Sequence, residues 1–197
     1  ITREDTAFLQ YTGGTTGVPK AVALTHRNLA SNAAQTLAWV PIVKRGAEVE
    51  AGVLPFFHAF GLTTVLVLGV SIAATIVLLP RFDVAALLAA HRRRPITLVP
   101  GVPPMFERIL EAAESHAKPV DLTSICFAFS GAMALEEAVA SRWEEATGGY
   151  IIEGYGMTEA SPIIAGSPLS PERRPSTLGL PLPSTEIRLA DPEDPSR

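Results

Sequence analysis

Short, nearly unbroken apolar runs alternate along this chain with longer stretches whose apolar residues recur every three or four positions. The runs read as strands buried on both faces, and the stretches as helices that cover them. Strands are predicted at residues 7–12 and 21–25, either side of a Gly/Thr loop. A helix over 28–39 follows, which Thr25 can cap. Next come a strand at 50–54, an aromatic turn Pro55-Phe56-Phe57-His58, a buried helix over 61–72 and a strand at 74–79. Asp83 is placed to cap a helix over 84–93, in which Val84, Leu87 and Leu88 share a face. Arg92, Arg93 and Arg94 close that helix where its dipole favours cations, and Pro95 stops it. Further strands are predicted at 96–99, 124–130 and 150–153, and helices over 103–115 and 136–147. After Gly166 prolines multiply, and one more strand is predicted at 186–189. This alternation implies an α/β fold: a largely parallel sheet with helices on both faces. Such sheets bind ligands in the loops after the carboxyl ends of their strands.

One stretch has a second reading. Residues 51–80 contain no Asp, Glu, Lys or Arg, and 62–79 are almost wholly apolar, long enough to cross a bilayer. Gly69 and Ser71 interrupt the run, 74–79 are rich in β-formers, and no aromatic belt frames it. A buried helix followed by a buried strand is therefore expected, with a membrane-inserted segment as the alternative. Composition narrows the classes further. With 47% hydrophobic and 18% charged residues, the 197-residue chain is globular. Sixteen Lys and Arg against twenty Asp and Glu give a net charge of −4, without the basic stripe that nucleic-acid binding needs. A single cysteine, Cys126, excludes an intrachain disulfide and a Cys-rich metal site, and points to a reducing, cytoplasmic compartment. The chain opens on Ile1 rather than Met and closes on a polar, Pro-punctuated stretch, so a piece of a longer protein is expected.

Four motifs carry candidate chemistry. Residues 11–20, YTGGTTGVPK, directly follow a predicted strand. Gly13, Gly14 and Gly17 let backbone amides converge; Thr12, Thr15 and Thr16 add hydroxyls; Lys20 adds a full positive charge. A polyphosphate needs such a set. It is not a Walker A loop, because Val18 and Pro19 separate the lysine from the last glycine and a strand follows. A plain Gly/Thr hairpin is the other reading. Residues 153–159, EGYGMTE, follow another predicted strand. Gly154 and Gly156 flank Tyr155, so that its ring can stand against a flat ligand, and Met157 leads into Thr158 and Glu159. The Glu159 carboxylate suits Mg²⁺, which takes one or two carboxylates plus phosphate oxygens. A surface turn is the alternative there. Ser130-Gly131-Ala132 is a small-residue turn at a strand end that lets a planar ring lie on backbone. His58, in PFFHAFG, is either a packed histidine or a group facing a reaction site. His26, His91 and His116 have no neighbours at triad or metal spacing.

Taken in order, YTGGTTGVPKAV, PFFHAFG, SGA and EGYGMTE resemble the adenylate-forming superfamily. The chain is most similar to acyl-CoA synthetases of the bacterial long-chain fatty acid–CoA ligase type. LVPGVPPMFERIL and STLGLPLPSTEIRL extend the resemblance over nearly the whole chain. The implied protein is a ligase whose nucleotide-binding subdomain is residues 1–166, part of the family's N-terminal domain. Residues 167–197 would form a Pro-rich connection to a further subdomain. The implied substrates are a fatty acid, ATP and coenzyme A, with Mg²⁺. The carboxylate attacks the α-phosphorus, giving acyl-adenylate and pyrophosphate, and the thiol then gives acyl-CoA and AMP. By the same resemblance, Thr12, Gly13, Gly14, Thr15, Thr16, Gly17 and Lys20 hold the β- and γ-phosphates. Thr158 contacts the α-phosphate, Glu159 holds the metal, and Tyr155 stacks on adenine. Gly131, Ala132 and Gly154 lie beside that ring, with Gly156 and Met157 completing the turn. His58 stands near the reacting carboxylate, and Gly61, Val102 and Pro103 form the acyl channel wall. No nucleic-acid partner is implied. Peripheral membrane association of the parent stays open. An adenylating enzyme with another acyl substrate or a carrier-protein acceptor, or a non-catalytic nucleotide-binding module, are the competing readings.

Overall fold

The computed structural model describes residues 1–12, 20–115, 119–170, 173–174 and 176–194. An antiparallel hairpin of β1 (Thr6–Thr12) and β2 (Lys20–Thr25) forms a small sheet of its own. The strand ends on Thr25, which caps α1 (His26–Trp39): its hydroxyl accepts from the Asn28 N–H, while the Asn28 side chain accepts from the Thr25 N–H. This reciprocal box joins hairpin and helix without a spacer.

The main sheet has the order β4-β3-β5-β6-β7-β8-β9. β3 (Val49–Gly52), β4 (Thr75–Leu78), β5 (Leu98–Gly101), β6 (Phe127–Ser130) and β7 (Tyr150–Gly156) are parallel. β8 (Ile163–Gly166) pairs antiparallel with β7, and β9 (Leu180–Pro181) pairs antiparallel with β8. The step from β3 to β4 runs one way along the sheet, and the steps to β5, β6 and β7 run the other. Right-handed crossovers then put the connecting helices on opposite faces. The two cores agree. On one face, α4 (Val84–Arg93), α5 (Pro103–Glu114) and α6 (Glu137–Thr147) cover Ala51, Val99, Ala128 and Ile151 with Leu88, Phe106, Ile109 and Trp143. On the other, Phe60 and Ile72 pack with Leu98, Phe127, Phe129 and Ile152.

The apolar run at 62–79 divides as the breakers suggest. A helix starts as α2 (Ala59–Gly61), widens to a π-helical segment over Leu62–Val67, and ends as α3 (Leu68–Ser71), before β4 begins. No helix among the described residues is long and apolar enough to cross a membrane.

Three expectations shift. β5 starts at Leu98 and β6 at Phe127, both later than predicted, because side chains and turns take the backbone groups before them. The Ile96 N–H donates to His91 Nδ1 at 3.1 Å, and Ser124 Oγ donates to the Ile96 carbonyl. β7 runs on to Gly156, so Gly154, Tyr155 and Gly156 belong to the strand, not to a loop after it; pairing with β8 extends it. Residues 186–189 form no strand: Ile187 and Leu189 are exposed, and the short β9 completes the sheet edge instead.

His91, on α4, is buried and ties two loops. With Nδ1 accepting from Ile96, the ring proton sits on Nε2 and donates to the Asp121 carbonyl at 2.8 Å. His91→Leu leaves the buried Ile96 N–H unpaired. A loss of about 1–3 kcal/mol is expected, read from the urea midpoint.

Glu50 is the sheet's anomaly. It is 3% exposed on the face that Leu98 shares, and its Oε2 has no hydrogen-bond partner. Burial holds its carboxyl well above the usual range. The folded state therefore keeps a proton that the unfolded chain releases above its ordinary carboxylate pKa, so this residue lowers stability as pH rises past that point. Glu50→Gln is expected to raise Tm at pH 8 and to leave it unchanged at pH 4.

Candidate functional site

Sheet topology places the site before any side chain is considered. The connection leaving β3 runs one way along the sheet and that leaving β5 the other, so a crevice opens between their carboxyl ends. The two strands pair only at Glu50 and Leu98. Beyond that bridge lies an apolar cavity of about 540 Å³, lined by Leu54, His58, Gly61, Val102, Met105 and Ala132 among others. Of the three residues predicted for an acyl wall, Gly61 and Val102 line it. Pro103 is instead buried as the first residue of α5, and Met105 faces the space.

A second cleft, of about 220 Å³, lies beside it at the carboxyl ends of β6 and β7. His58, Gly131, Ala132, Gly154, Tyr155, Gly156, Met157 and Thr158 line it, and His58, Phe60 and Ala132 border both spaces. Residues from three separate motifs thus meet around one hollow. Phe60, Phe129, Pro162 and Ile163 also line the cleft, and sequence reading missed them in that role. The alternation of Phe127 and Phe129 through β6 was the available signal. It marks one face of the sheet but not that the face ends in a cleft.

Each wall has a local cause. Gly154 has no side chain because the Phe129 ring occupies that space. Ala132 adopts a left-handed φ of 66°, which turns the chain sharply at the end of β6 and is a costly conformation for a non-glycine residue. Tyr155 is partly exposed, its backbone paired with Ala165 of β8, beyond the last β6 partner at Glu153. Glu153, just before it, is buried with the Leu135 N–H on its Oε1, and desolvation raises its pKa. His58 Nδ1 accepts from the Phe60 N–H at 3.2 Å, which leaves the ring proton on Nε2.

Thr158 opens a 3₁₀ turn, Thr158–Ala160, with Glu159 exposed at its centre. β2 packs against this turn. β1 is anchored nearby, where Gln10 Nε2 donates to the Phe57 carbonyl next to His58. Thr12 and Lys20 face each other where β1 ends and β2 begins, with Lys20 exposed and both outside the cleft lining. Gly13, Gly14, Thr15, Thr16 and Gly17 lie outside the described residues. Among the described residues, no group of three or more His, Cys, Asp or Glu is arranged to hold a metal alone.

This geometry has known counterparts. The family model for AMP-binding enzymes matches residues 1–196. The chain belongs to the AMP-binding enzyme family. Among curated relatives of this AMP-binding chain, the long-chain-fatty-acid–CoA ligase of Bacillus subtilis (strain 168) is 40% identical over 189 residues, covering 96% of this chain and 33% of its own. The Yersinia pestis ligase of the same name is 38% identical over 195 residues, covering 97% of this chain and 34% of its own. Of the solved structures, a long-chain-fatty-acid–CoA ligase from Archaeoglobus fulgidus superposes with a TM-score of 0.81 at 30% identity, covering 98% of this chain and 39% of that one. Apo MatB from Rhodopseudomonas palustris gives 0.84 at 28% identity, covering 99% and 37%. The chain spans about a third of the length of the curated relatives it matches.

Proposed function

We propose that this chain is the nucleotide-binding part of an ATP-dependent fatty acid–CoA ligase. The observation that carries the reading is the pair of adjoining spaces, one apolar and one at the glycine-walled strand ends, with His58 and Ala132 at their border. An acyl chain and an adenosine need two such compartments, with the carboxylate and the α-phosphate meeting where they join. Relatives named long-chain-fatty-acid–CoA ligase, and a related MatB structure with ATP bound, support it.

The chemistry asks an anionic carboxylate to approach an anionic phosphate, so donors must neutralise the charge that develops. Tyr155 presents an aromatic face beside the bare backbone of Gly131 and Gly154, which suits a purine. Thr158 offers its hydroxyl at the cleft rim to the α-phosphate. His58 Nε2–H can donate to the carboxylate at the junction of the two spaces. Lys20 and the loop it closes contribute positive charge and donors to the β- and γ-phosphates. Glu159 is exposed and takes part in no ion pair among the described residues, so its carboxylate is available to a hard cation. Mg²⁺ held there would shield phosphate charge during attack and leaving. The half-buried free thiol of Cys126 fits a reducing, cytoplasmic setting.

The test is ATP–pyrophosphate exchange by the full-length protein across acids of increasing chain length, followed by coenzyme A-dependent release of AMP. Exchange that depends on long-chain acids, with product release that depends on coenzyme A, is expected. Acid-dependent exchange without coenzyme A-dependent release of AMP would favour a carrier-protein acceptor. ATP binding without any exchange would leave only a nucleotide-binding module.

A further inference from the structure

The two halves of the proposed nucleotide site lie far apart in the chain, and something must fix their separation. We propose that Asn32 is the positioning residue that does so, a reading that rests on the function proposed above. Asn32 lies on α1 and is 3% exposed. Its Nδ2 donates to the Ile163 carbonyl at 2.7 Å, and its Oδ1 accepts from the Ile163 N–H at 3.1 Å. One side chain thus engages both polar groups of one residue, as a strand neighbour would. It does so at an irregularity: the β7–β8 register shifts between Tyr155 and Gly156, and Gly156 is the partner of Ile163.

Ile163 is the return limb of the turn that bears Thr158 and Glu159. The turn's stem is closed by the Met157 N–H donating to the Pro162 carbonyl at 2.9 Å. Ser161 is buried within it in a left-handed conformation, φ 81°, so the segment between stem and 3₁₀ turn has a restricted shape. With stem and turn so restricted, the position of Glu159 follows from that of Ile163.

The other end of the tie is equally firm. α1 continues from β2 through the Thr25–Asn28 capping box, and β2 begins at Lys20. A rigid path therefore runs from Lys20 along β2 to α1, across the Asn32 carboxamide to Ile163, and back through the turn to Thr158 and Glu159. Removing the carboxamide loosens the spacing between the lysine end and the acidic end, while both loops keep their own residues. Gln35, one turn along α1, makes a contrasting contact: its Nε2 donates to the Pro183 carbonyl at 2.8 Å, away from the turn, while its Oε1 accepts only a long bond, 3.4 Å, from Asn32 Nδ2, whose bond to Ile163 is 2.7 Å.

The experiment measures ATP–pyrophosphate exchange by full-length Asn32→Asp, Asn32→Ala and Gln35→Ala variants, with far-UV circular dichroism and thermal melts alongside. Asn32→Asp keeps the acceptor for the Ile163 N–H and loses the donor; Asn32→Ala loses both. Folded Asn32 variants are expected to show lower kcat and a higher KM for ATP. The combined loss in kcat/KM is on the order of 10²-fold for Ala and smaller for Asp. KM for the fatty acid is expected to stay unchanged, and Gln35→Ala to lower Tm without shifting KM for ATP. Folded Asn32 variants with wild-type kcat and KM for ATP would overturn the proposal. So would a kcat loss matching only the lost folded fraction, or recovery of every Asn32 variant unfolded, since Asn32 would then be a stability element alone. Failure of the wild-type protein to exchange would instead remove the nucleotide reading on which it rests.

Discussion

Glu159→Gln in the full-length protein is expected to lower fatty-acid-dependent ATP–pyrophosphate exchange by about 10²–10³-fold, and Lys20→Ala to do so to a similar degree. Glutamine keeps the size and hydrogen-bonding capacity of residue 159 and removes only its charge, so the loss reads metal holding rather than packing. Glu159 is exposed at the centre of its 3₁₀ turn, and Lys20 is exposed at the start of β2. Neither carries core packing, and both variants are expected to melt within about 0.5 kcal/mol of wild type. The two differ in what rescues them. Raising Mg²⁺ restores part of the Glu159→Gln rate, because the lost group is a metal ligand. It leaves Lys20→Ala unchanged, because that group meets phosphate directly. Wild-type exchange rates in both variants would remove these residues from the site.

Gly154→Ala carries the second large effect, and through a different mechanism. A Cβ at Gly154 would lie 2.1 Å from Cζ of Phe129, far inside contact distance. The clash is relieved only if the ring shifts against its neighbours. The ring is buried, with the Phe60 and Phe127 rings centred 5.7 and 6.4 Å away. Overpacking of this kind costs about 1–3 kcal/mol. Because Gly154, Phe129 and Phe60 all line the cleft, the displaced ring is also expected to raise KM for ATP by on the order of tenfold or more. Gly148→Ala is the control. Gly148 ends α6 with φ 67° and has open space around its Cα, so alanine there costs about 1 kcal/mol through backbone strain. KM for ATP is expected to stay where it was.

Much of this arrangement is legible in the chain itself. Asp83 and Thr25 mark the starts of α4 and α1 because a capping side chain acts within three residues. Gly69, Ser71 and the β-branched run at 74–79 separate helix from strand for equally local reasons. The cleft motifs are legible because glycines at a strand end open the backbone to close approach, a composition they share with plain turns. What escapes is set by distance. β8 is four residues long and exists because β7 continues alongside it. The strand expected at 186–189 has the right residues, yet the sheet edge is completed by β9 instead. Asn32 in isolation is a polar residue on a helix, and its partner is 131 positions away. The cleft's width likewise depends on Phe60 and Phe129, which pack from different elements. No periodicity within either segment reports that meeting.

The central claim is that the strand-end cleft bordered by Tyr155 and the Thr158–Ala160 turn receives the nucleotide. A crystal structure of the full-length protein with ATP and Mg²⁺ tests it most directly. The account predicts adenine against Tyr155 beside Gly131 and Gly154, the metal on Glu159, and the terminal phosphates toward Lys20. ATP bound on another surface, with this cleft empty and Lys20 and Glu159 both in solvent, would contradict it.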